Sequence, residues 1–244
     1  MINIENIQSI RNAMAFVMAY AVKQIFGEVK FGTGAATDDG FYYDFELPRS
    51  LVIEDLNLIE NKMKEIICTG YQIFCESASL GKARKMFENQ PYKLELINDM
   101  AQTPDCDSVC ICRAGDFEDL CTASMASSLN ELNPEAFKLM QFSGAYWKGS
   151  SENPMLQRIY GTAWEKPVEL ESYINKIKEA SKRDHRTLGA QLDFFSSSPE
   201  VGQGLVLWHP KGAMIRYLLE KFSQSAHILN GYDWVYTPHI GRSE

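Results

Sequence analysis

The 244-residue sequence has no histidine in its first 184 positions. Its four histidines all come later, as His185, His209, His227 and His239. Imidazole is the side chain whose charge changes near neutral pH, and it is a common zinc ligand. A site built from residues 1–184 therefore has to transfer protons or bind metal without histidine.

Long apolar runs and an excess of positive charge are also missing. A membrane-spanning helix needs about 20 consecutive apolar residues, and every apolar stretch in the sequence is much shorter. The N-terminal sequence MINIENIQSIRNAM lacks the basic start and unbroken apolar block of a secretory signal. These features predict a cytoplasmic protein that does not enter a membrane. The formal net charge of −8 argues against non-specific binding to nucleic acid, although it permits a local basic patch.

Cysteine is confined to one part of the chain, in the order Cys68, Cys75, Cys106, Cys110, Cys112 and Cys121. Without a secretory signal, an even cysteine count is weak evidence for disulfides, so reduced and mostly buried thiols are expected. Cys106, Cys110, Cys112 and Cys121 together offer four thiols. Their spacing is not the paired Cys-x-x-Cys of structural zinc sites. No metal site and no stoichiometric zinc are predicted.

Hydrophobic spacing predicts a mixture of helices and strands in a chain long enough for two domains. Apolar positions every three or four residues indicate a first helix with one buried face. Turn residues and β-favouring aromatics indicate hairpins. Helices are predicted over 5–26, ending at Gly27, over 54–68, and as a pair interrupted before Pro91; strands are predicted around a turn at Asp39-Gly40 and within 108–121.

The composition changes near residue 195. The preceding run, 166–192, is charged on most faces and is predicted to be a solvated helical connector. After the serine-rich turn SSSPEVGQG come a strand-like LVLWH and a long amphipathic helix, KGAMIRYLLEKFSQSAHILN, with Gly231 at its C-terminal end. A domain boundary is therefore predicted near residue 195.

Several long blocks carry a family resemblance, among them GFYYDFELPR (40–49), GDFEDLC (115–121), AFKLMQFSGAYWKG (136–149), NPMLQRIYGTAW (153–164) and GLVLWHPKGAMIR (204–216). In these blocks the chain resembles threonyl-tRNA synthetases almost end to end. The resemblance implies an α+β fold. It implies a two-layer sheet-and-helix domain of the editing type over 1–165, a linker helix over 166–195, and the N-terminal, motif 1 part of a class II synthetase core over 196–244.

The resemblance also implies what this chain lacks. The ubiquitin-like N-terminal domain, motifs 2 and 3 and the anticodon-binding domain of the family have no counterpart in it. The family joins threonine to its tRNA at the expense of ATP, and its ATP, magnesium and zinc belong to the missing part of the core. The chain alone is therefore expected to hold no cofactor and not to charge tRNA. Threonine-acceptor tRNA is the expected partner, and the full-length family forms homodimers through motif 1.

The family's editing pocket removes serine from mischarged tRNA. It is marked by a His-x-x-x-His pair on the first helix and a Cys-x-x-x-His pair after a strand, a set of metal-ligand type. The resemblance places these four positions at Asn12, Phe16, Cys121 and Met125. Only Cys121 keeps a ligand side chain, so the pocket is expected to be degenerate, with Met125 packed into the emptied space.

Other polar residues of the pocket persist by resemblance. Lys93, Asp119 and Cys121 are the candidate residual catalytic residues, and Tyr42 and Asp44 are expected to line the same cleft and bind substrate. The first three could hydrolyse an ester through a lysine-activated water or a cysteine thiolate. Alternatively, Lys93 and Asp119 form an inherited ion pair and Cys121 is a buried, apolar thiol.

Three functions remain open on this evidence. The first is a threonyl-tRNA synthetase, or a segment of one, whose proofreading pocket has decayed. The second is a free-standing, non-catalytic paralogue that binds the tRNA acceptor or a protein partner. The third is a weak residual seryl-tRNA deacylase.

Overall fold

The computed structural model describes residues 4–103, 107–121, 123–202 and 204–239. The chain divides into two compact units, Met1–Ile174 and Asn175–Glu244. Helices and antiparallel sheets are both present, so the prediction of an α+β fold is confirmed. None of the helices in the described part of the chain combines the length and apolar character needed to cross a bilayer.

The first unit contains two sheets. One has four strands in the order β1-β2-β7-β6, and the other has three in the order β3-β4-β5. All their pairings are antiparallel. The elements are α1 (Ile4–Phe26), β1 (Lys30–Ala36), β2 (Phe41–Glu46), α2 (Ile53–Cys68), β3 (Phe74–Ser79), α3 (Leu80–Met86), α4 (Pro91–Met100), β4 (Ser108–Ala114), β5 (Phe117–Cys121), β6 (Phe137–Tyr146), β7 (Met155–Ala163) and the start of α5 (Pro167–Lys182).

Helix α1 lies at the centre of this unit. Ten consecutive residues, 13–22, are buried, so the prediction of a single buried face is wrong. The reason is that α1 packs against α2 and also against strands β1, β2 and β7 of the larger sheet. Gly27, with φ of +70°, ends the helix as predicted.

The predicted hairpin between β1 and β2 is confirmed. Thr37 N–H donates to the Gly40 carbonyl at 2.8 Å and closes the turn. A Cβ at Gly40 would lie 2.0 Å from the Gly161 carbonyl oxygen of β7, so only glycine fits there. The interruption before Pro91 is confirmed as well, because Pro91 is the first residue of α4. The strands predicted within 108–121 are β4 and β5.

A disulfide joins β3 to β4. Cys75 lies opposite Cys112 in the antiparallel register, with 4.1 Å between their Cα atoms, and their sulfurs are bonded. The expectation of reduced thiols is therefore wrong for this pair, because strand pairing brings together two cysteines that are 37 residues apart in sequence. Among the other described cysteines, Cys68 and Cys110 are exposed rather than buried, and Cys121 is half-buried. Cys106 lies outside the described residues.

The second unit contains the rest of α5, followed by α6 (His185–Gln191), β8 (Phe195–Ser196), β9 (Leu207–Trp208) and α7 (Pro210–Leu229). The charged run 166–192 is two helices rather than one, because Asp184 caps α6 by accepting from Arg186 N–H at 2.8 Å. The long helix α7 is confirmed. In LVLWH only Leu207 and Trp208 pair, with β8.

Candidate functional site

One small pocket of the first unit brings together most of the predicted site residues. Helix α1 forms one side, and α4, strands β1, β2 and β5 and the residues that follow β5 form the others. Its predicted members are Asn12, Phe16, Lys93, Asp119, Cys121 and Met125. The space between them is about 40 Å³, which is room for a few water molecules.

A buried ion pair lies in the wall of the pocket. Lys93 Nζ is 2.5 Å from Asp119 Oδ1, and the two residues are only 2% and 5% exposed. The ion pair that the sequence left open as one of two alternatives is therefore present. Tyr43 joins them, because its hydroxyl accepts from Lys93 Nζ at 2.8 Å and donates to Asp119 Oδ2 at 2.5 Å.

Both carboxylate oxygens of Asp119 are engaged. Oδ1 accepts from Lys93 and from the Leu120 backbone N–H at 2.8 Å, while Oδ2 accepts from Tyr43. A buried charge pair is tolerated when further hydrogen bonds of this kind satisfy it. Burial, helped by the Asp119 carboxylate, raises the pKa of Tyr43 well above its usual value. The phenol therefore stays neutral and remains the donor.

Cys121 is half-buried at the end of β5. Its thiol donates to the Ala123 carbonyl at 2.9 Å. Burial raises the pKa of the Cys121 thiol, and the neighbouring Cys110 and Asp119 add to the rise. The thiolate is the nucleophilic form of cysteine. A Cys121 nucleophile is therefore disfavoured at neutral pH.

Asn12 ties α1 to two other segments. Its Nδ2 donates to the Ser124 carbonyl at 2.8 Å, and its Oδ1 accepts from the Ala36 N–H at 3.0 Å. The carboxamide thus connects the helix to β1 and to the segment after β5. Because both polar atoms of Asn12 have backbone partners, the side chain stabilises the fold at this point of the pocket.

Phe16 and Met125 make the remaining wall apolar. Phe16 is 3% exposed and packs on Phe117 of β5, with 5.0 Å between ring centroids. Met125 is half-buried against the same hydrophobic core. Neither side chain can bind a hard metal ion or transfer a proton.

Tyr42 and Asp44 are not in this pocket. They line a neighbouring cleft with Arg158 of β7, although the resemblance implied a shared cleft. Asp44 accepts two hydrogen bonds from Arg158, at 2.6 and 2.8 Å, and the guanidinium carbon lies 4.1 Å from the Tyr42 ring centroid. Successive side chains of a strand point to opposite faces, so Tyr43 reaches the pocket while its two neighbours face the cleft.

A cysteine cluster adjoins the pocket. Cys110 lies opposite Cys121 in the β4–β5 pairing, as Cys75 lies opposite Cys112 in the β3–β4 pairing. The four sulfur atoms all lie within 4.8 Å of one another. The spacing of the cysteines in sequence did not reveal this set, because its fourth member, Cys75, comes from a separate strand.

Comparison with known proteins identifies relatives. A threonine–tRNA ligase of Dehalococcoides mccartyi is 46% identical over 239 residues, which are 98% of this chain and 40% of the relative. One of Borreliella burgdorferi is 46% identical over 233 residues, or 96% of this chain and 40% of the relative. This chain is related to the threonine–tRNA ligases. No protein-family model matches it.

These relatives confirm the resemblance to threonine–tRNA ligases that the sequence blocks indicated. The chain spans about two fifths of the length of these relatives. The positions that the threonine–tRNA ligase resemblance assigned to one editing-type pocket, Asn12, Phe16, Cys121 and Met125, do line one pocket here. The same pocket contains Tyr43, which sequence reasoning missed.

Proposed function

We propose that this chain is a segment of a threonine–tRNA ligase with the architecture of an editing domain and a pocket that no longer hydrolyses seryl-tRNA. In this proposal residues 1–165 are the editing-type domain, 166–195 the linker and 196–244 the start of the class II core. Its role is to contact the acceptor end of tRNA. ATP-dependent joining of threonine to tRNA belongs to the longer enzyme.

The observation that carries the proposal is that the ionisable groups of the pocket already have protein partners. A hydrolytic pocket needs a group that takes a proton from water at hydrogen-bonding distance. Here Asp119 is bound by Lys93, Tyr43 and Leu120 N–H, and the Cys121 thiol donates to a backbone carbonyl. Phe16 and Met125 contribute no polar group in place of histidine.

A groove beside the pocket supports a contact with nucleic acid. Its volume is about 600 Å³, and it shares Asn12 and Ala123 with the pocket. The groove is open to solvent, and Gln8, Asn12 and Ser124 contribute amide and hydroxyl groups to its lining. We place the terminal adenosine of the acceptor there, with the aminoacyl ester directed toward the pocket. Because the net charge is −8, we expect weak binding that falls as salt increases.

The proposal is tested by two measurements on the same protein. The first is the hydrolysis rate of seryl-tRNA, with threonyl-tRNA for comparison. The second is binding of an uncharged acceptor-stem RNA at low and high salt. We expect salt-sensitive binding and a hydrolysis rate equal to that without protein. Hydrolysis that is abolished by Lys93→Ala or Cys121→Ala would contradict the proposal and favour the residual deacylase.

A further inference from the structure

Four cysteine sulfurs meet on one face of the three-stranded sheet. Cys75 comes from β3, Cys110 and Cys112 from β4, and Cys121 from β5. Cross-strand pairing opposes Cys75 to Cys112 and Cys110 to Cys121, and the two β4 cysteines share a face because they are two residues apart. All four sulfurs lie within 4.8 Å of one another. These four residues are called the cysteine cluster below.

We propose that the cysteine cluster of the reduced chain binds one zinc ion. Zinc–thiolate bonds are about 2.3 Å long, which places the sulfurs of a tetrahedral four-cysteine site about 3.8 Å apart. The outermost sulfurs of the cluster therefore have to approach by no more than about 1 Å. The Cys75 and Cys112 sulfurs, which are bonded to each other here, have to move apart once they are reduced. Soft thiolate ligands select zinc and similar metals over magnesium and calcium. This proposal replaces the sequence-based expectation that no zinc binds.

The disulfide and the metal are alternative states of the same cluster. In the oxidised state Cys75 and Cys112 are bonded to each other. A dithiol reductant supplies two electrons and two protons, which breaks this bond, yields two thiols and leaves the reductant as a disulfide. Binding of zinc to all four cysteines then releases four thiol protons. The site can therefore fill only in the reduced chain.

The cluster reaches from the surface, where Cys75 and Cys110 are exposed, to the hydrophobic core, which suits a structural metal. Cys112 is fully buried and Cys75 is exposed, so the ion can enter from the surface and rest against the hydrophobic core. A bound zinc would hold the three strands β3, β4 and β5 together. It would also hold Cys121 in the wall of the candidate pocket, where its thiolate would be occupied by metal instead of reacting with substrate.

The test uses the untagged full chain, reduced under anaerobic conditions, loaded with zinc and separated from free metal. Zinc per chain is measured by mass spectrometry. We expect one zinc per chain in the unmodified protein and in Cys68→Ser, whose cysteine lies outside the cluster. We expect at least a tenfold loss of zinc affinity in Cys110→Ser. Oxidation to the disulfide should release the zinc, and reduction should restore binding.

Cobalt provides a readout that does not depend on variants. Cobalt bound by four thiolates gives intense sulfur-to-metal charge-transfer bands and strong tetrahedral ligand-field bands, and zinc should abolish both by displacement. The proposal is overturned if the reduced, unmodified chain holds no zinc and shows no such bands. It is also overturned if folded Cys110→Ser, checked by circular dichroism, holds zinc as tightly as Cys68→Ser.

Discussion

Replacing Lys93 with methionine should lower the free energy of unfolding by about 3–5 kcal/mol, because the change leaves a buried carboxylate without its counter-charge. Lys93 and Asp119 are 2% and 5% exposed, so bulk solvent is largely excluded from the carboxylate, and the few water molecules for which the pocket has room carry no compensating charge. The loss corresponds to a melting temperature lower by about 6–20 °C for a unit of this size. Urea denaturation followed by circular dichroism measures it.

Two further variants make this experiment specific. Lys30 and Glu46 also form an ion pair, at 2.6 Å, but their side chains are 49% and 40% exposed; Lys30→Met should therefore cost about 0–1 kcal/mol. The triple variant Lys93→Met, Asp119→Leu, Tyr43→Phe removes all three side chains of the buried network. It should recover most of the loss, since no charge or hydroxyl is left unpaired and only the Leu120 N–H loses its carboxylate partner. If Lys93→Met costs no more than Lys30→Met, the buried network is not formed as described.

Two other predictions concern α1 and α7. Burial and then the hydrogen bond to Asp116 raise the pKa of Tyr20 to about 12, whereas an unfolded tyrosine ionises near about 10. The stabilisation from Tyr20 should therefore be fully present below pH 10 and should be lost as the pH rises toward 12. The urea concentration at the unfolding midpoint should fall over this pH range, and it should fall less in Tyr20→Phe. An equal fall in the variant would contradict the assignment to Tyr20. Exposed apolar side chains of α7, including Leu218 at 57% and Phe222 at 73%, should cause self-association. Sedimentation velocity should show weaker self-association in the double variant Leu218→Ser, Phe222→Ser. An unmodified chain that stays strictly monomeric at high concentration would refute the prediction.

Elements with local signals could be predicted from the sequence. Apolar spacing gives α1 and α2, and turn residues give the β1–β2 hairpin, because both signals lie within the element itself. Strands β3 and β6 carry no such signal. Most of β3 is exposed, and the register of β6 against β7 shifts between Leu139 and Gln141, which breaks the alternation of buried and exposed residues.

The pocket depended on information that spacing does not contain. Its members were brought together by the family resemblance, since Asn12, Lys93 and Cys121 are far apart in sequence. Because side chains alternate between the two faces of β2, the sequence indicates that Tyr43 lies on the face opposite to Tyr42 and Asp44. The sequence does not indicate which of the two faces is turned toward α4. The Cys75–Cys112 pair likewise depends on strand register, which only the folded chain fixes.

The most direct test of the central claim is the single-turnover hydrolysis of seryl-tRNA by a chain carrying Asn12→His, Phe16→His and Met125→His together. Groups that act as a unit lose most of their effect when one is missing. We therefore predict that the triple variant hydrolyses seryl-tRNA about 10²-fold or more faster than the reaction without protein. We expect the unmodified chain and each single variant to leave the rate without protein unchanged. Robust hydrolysis by the unmodified chain, or a folded triple variant that stays inactive, would contradict the account of a decayed editing pocket.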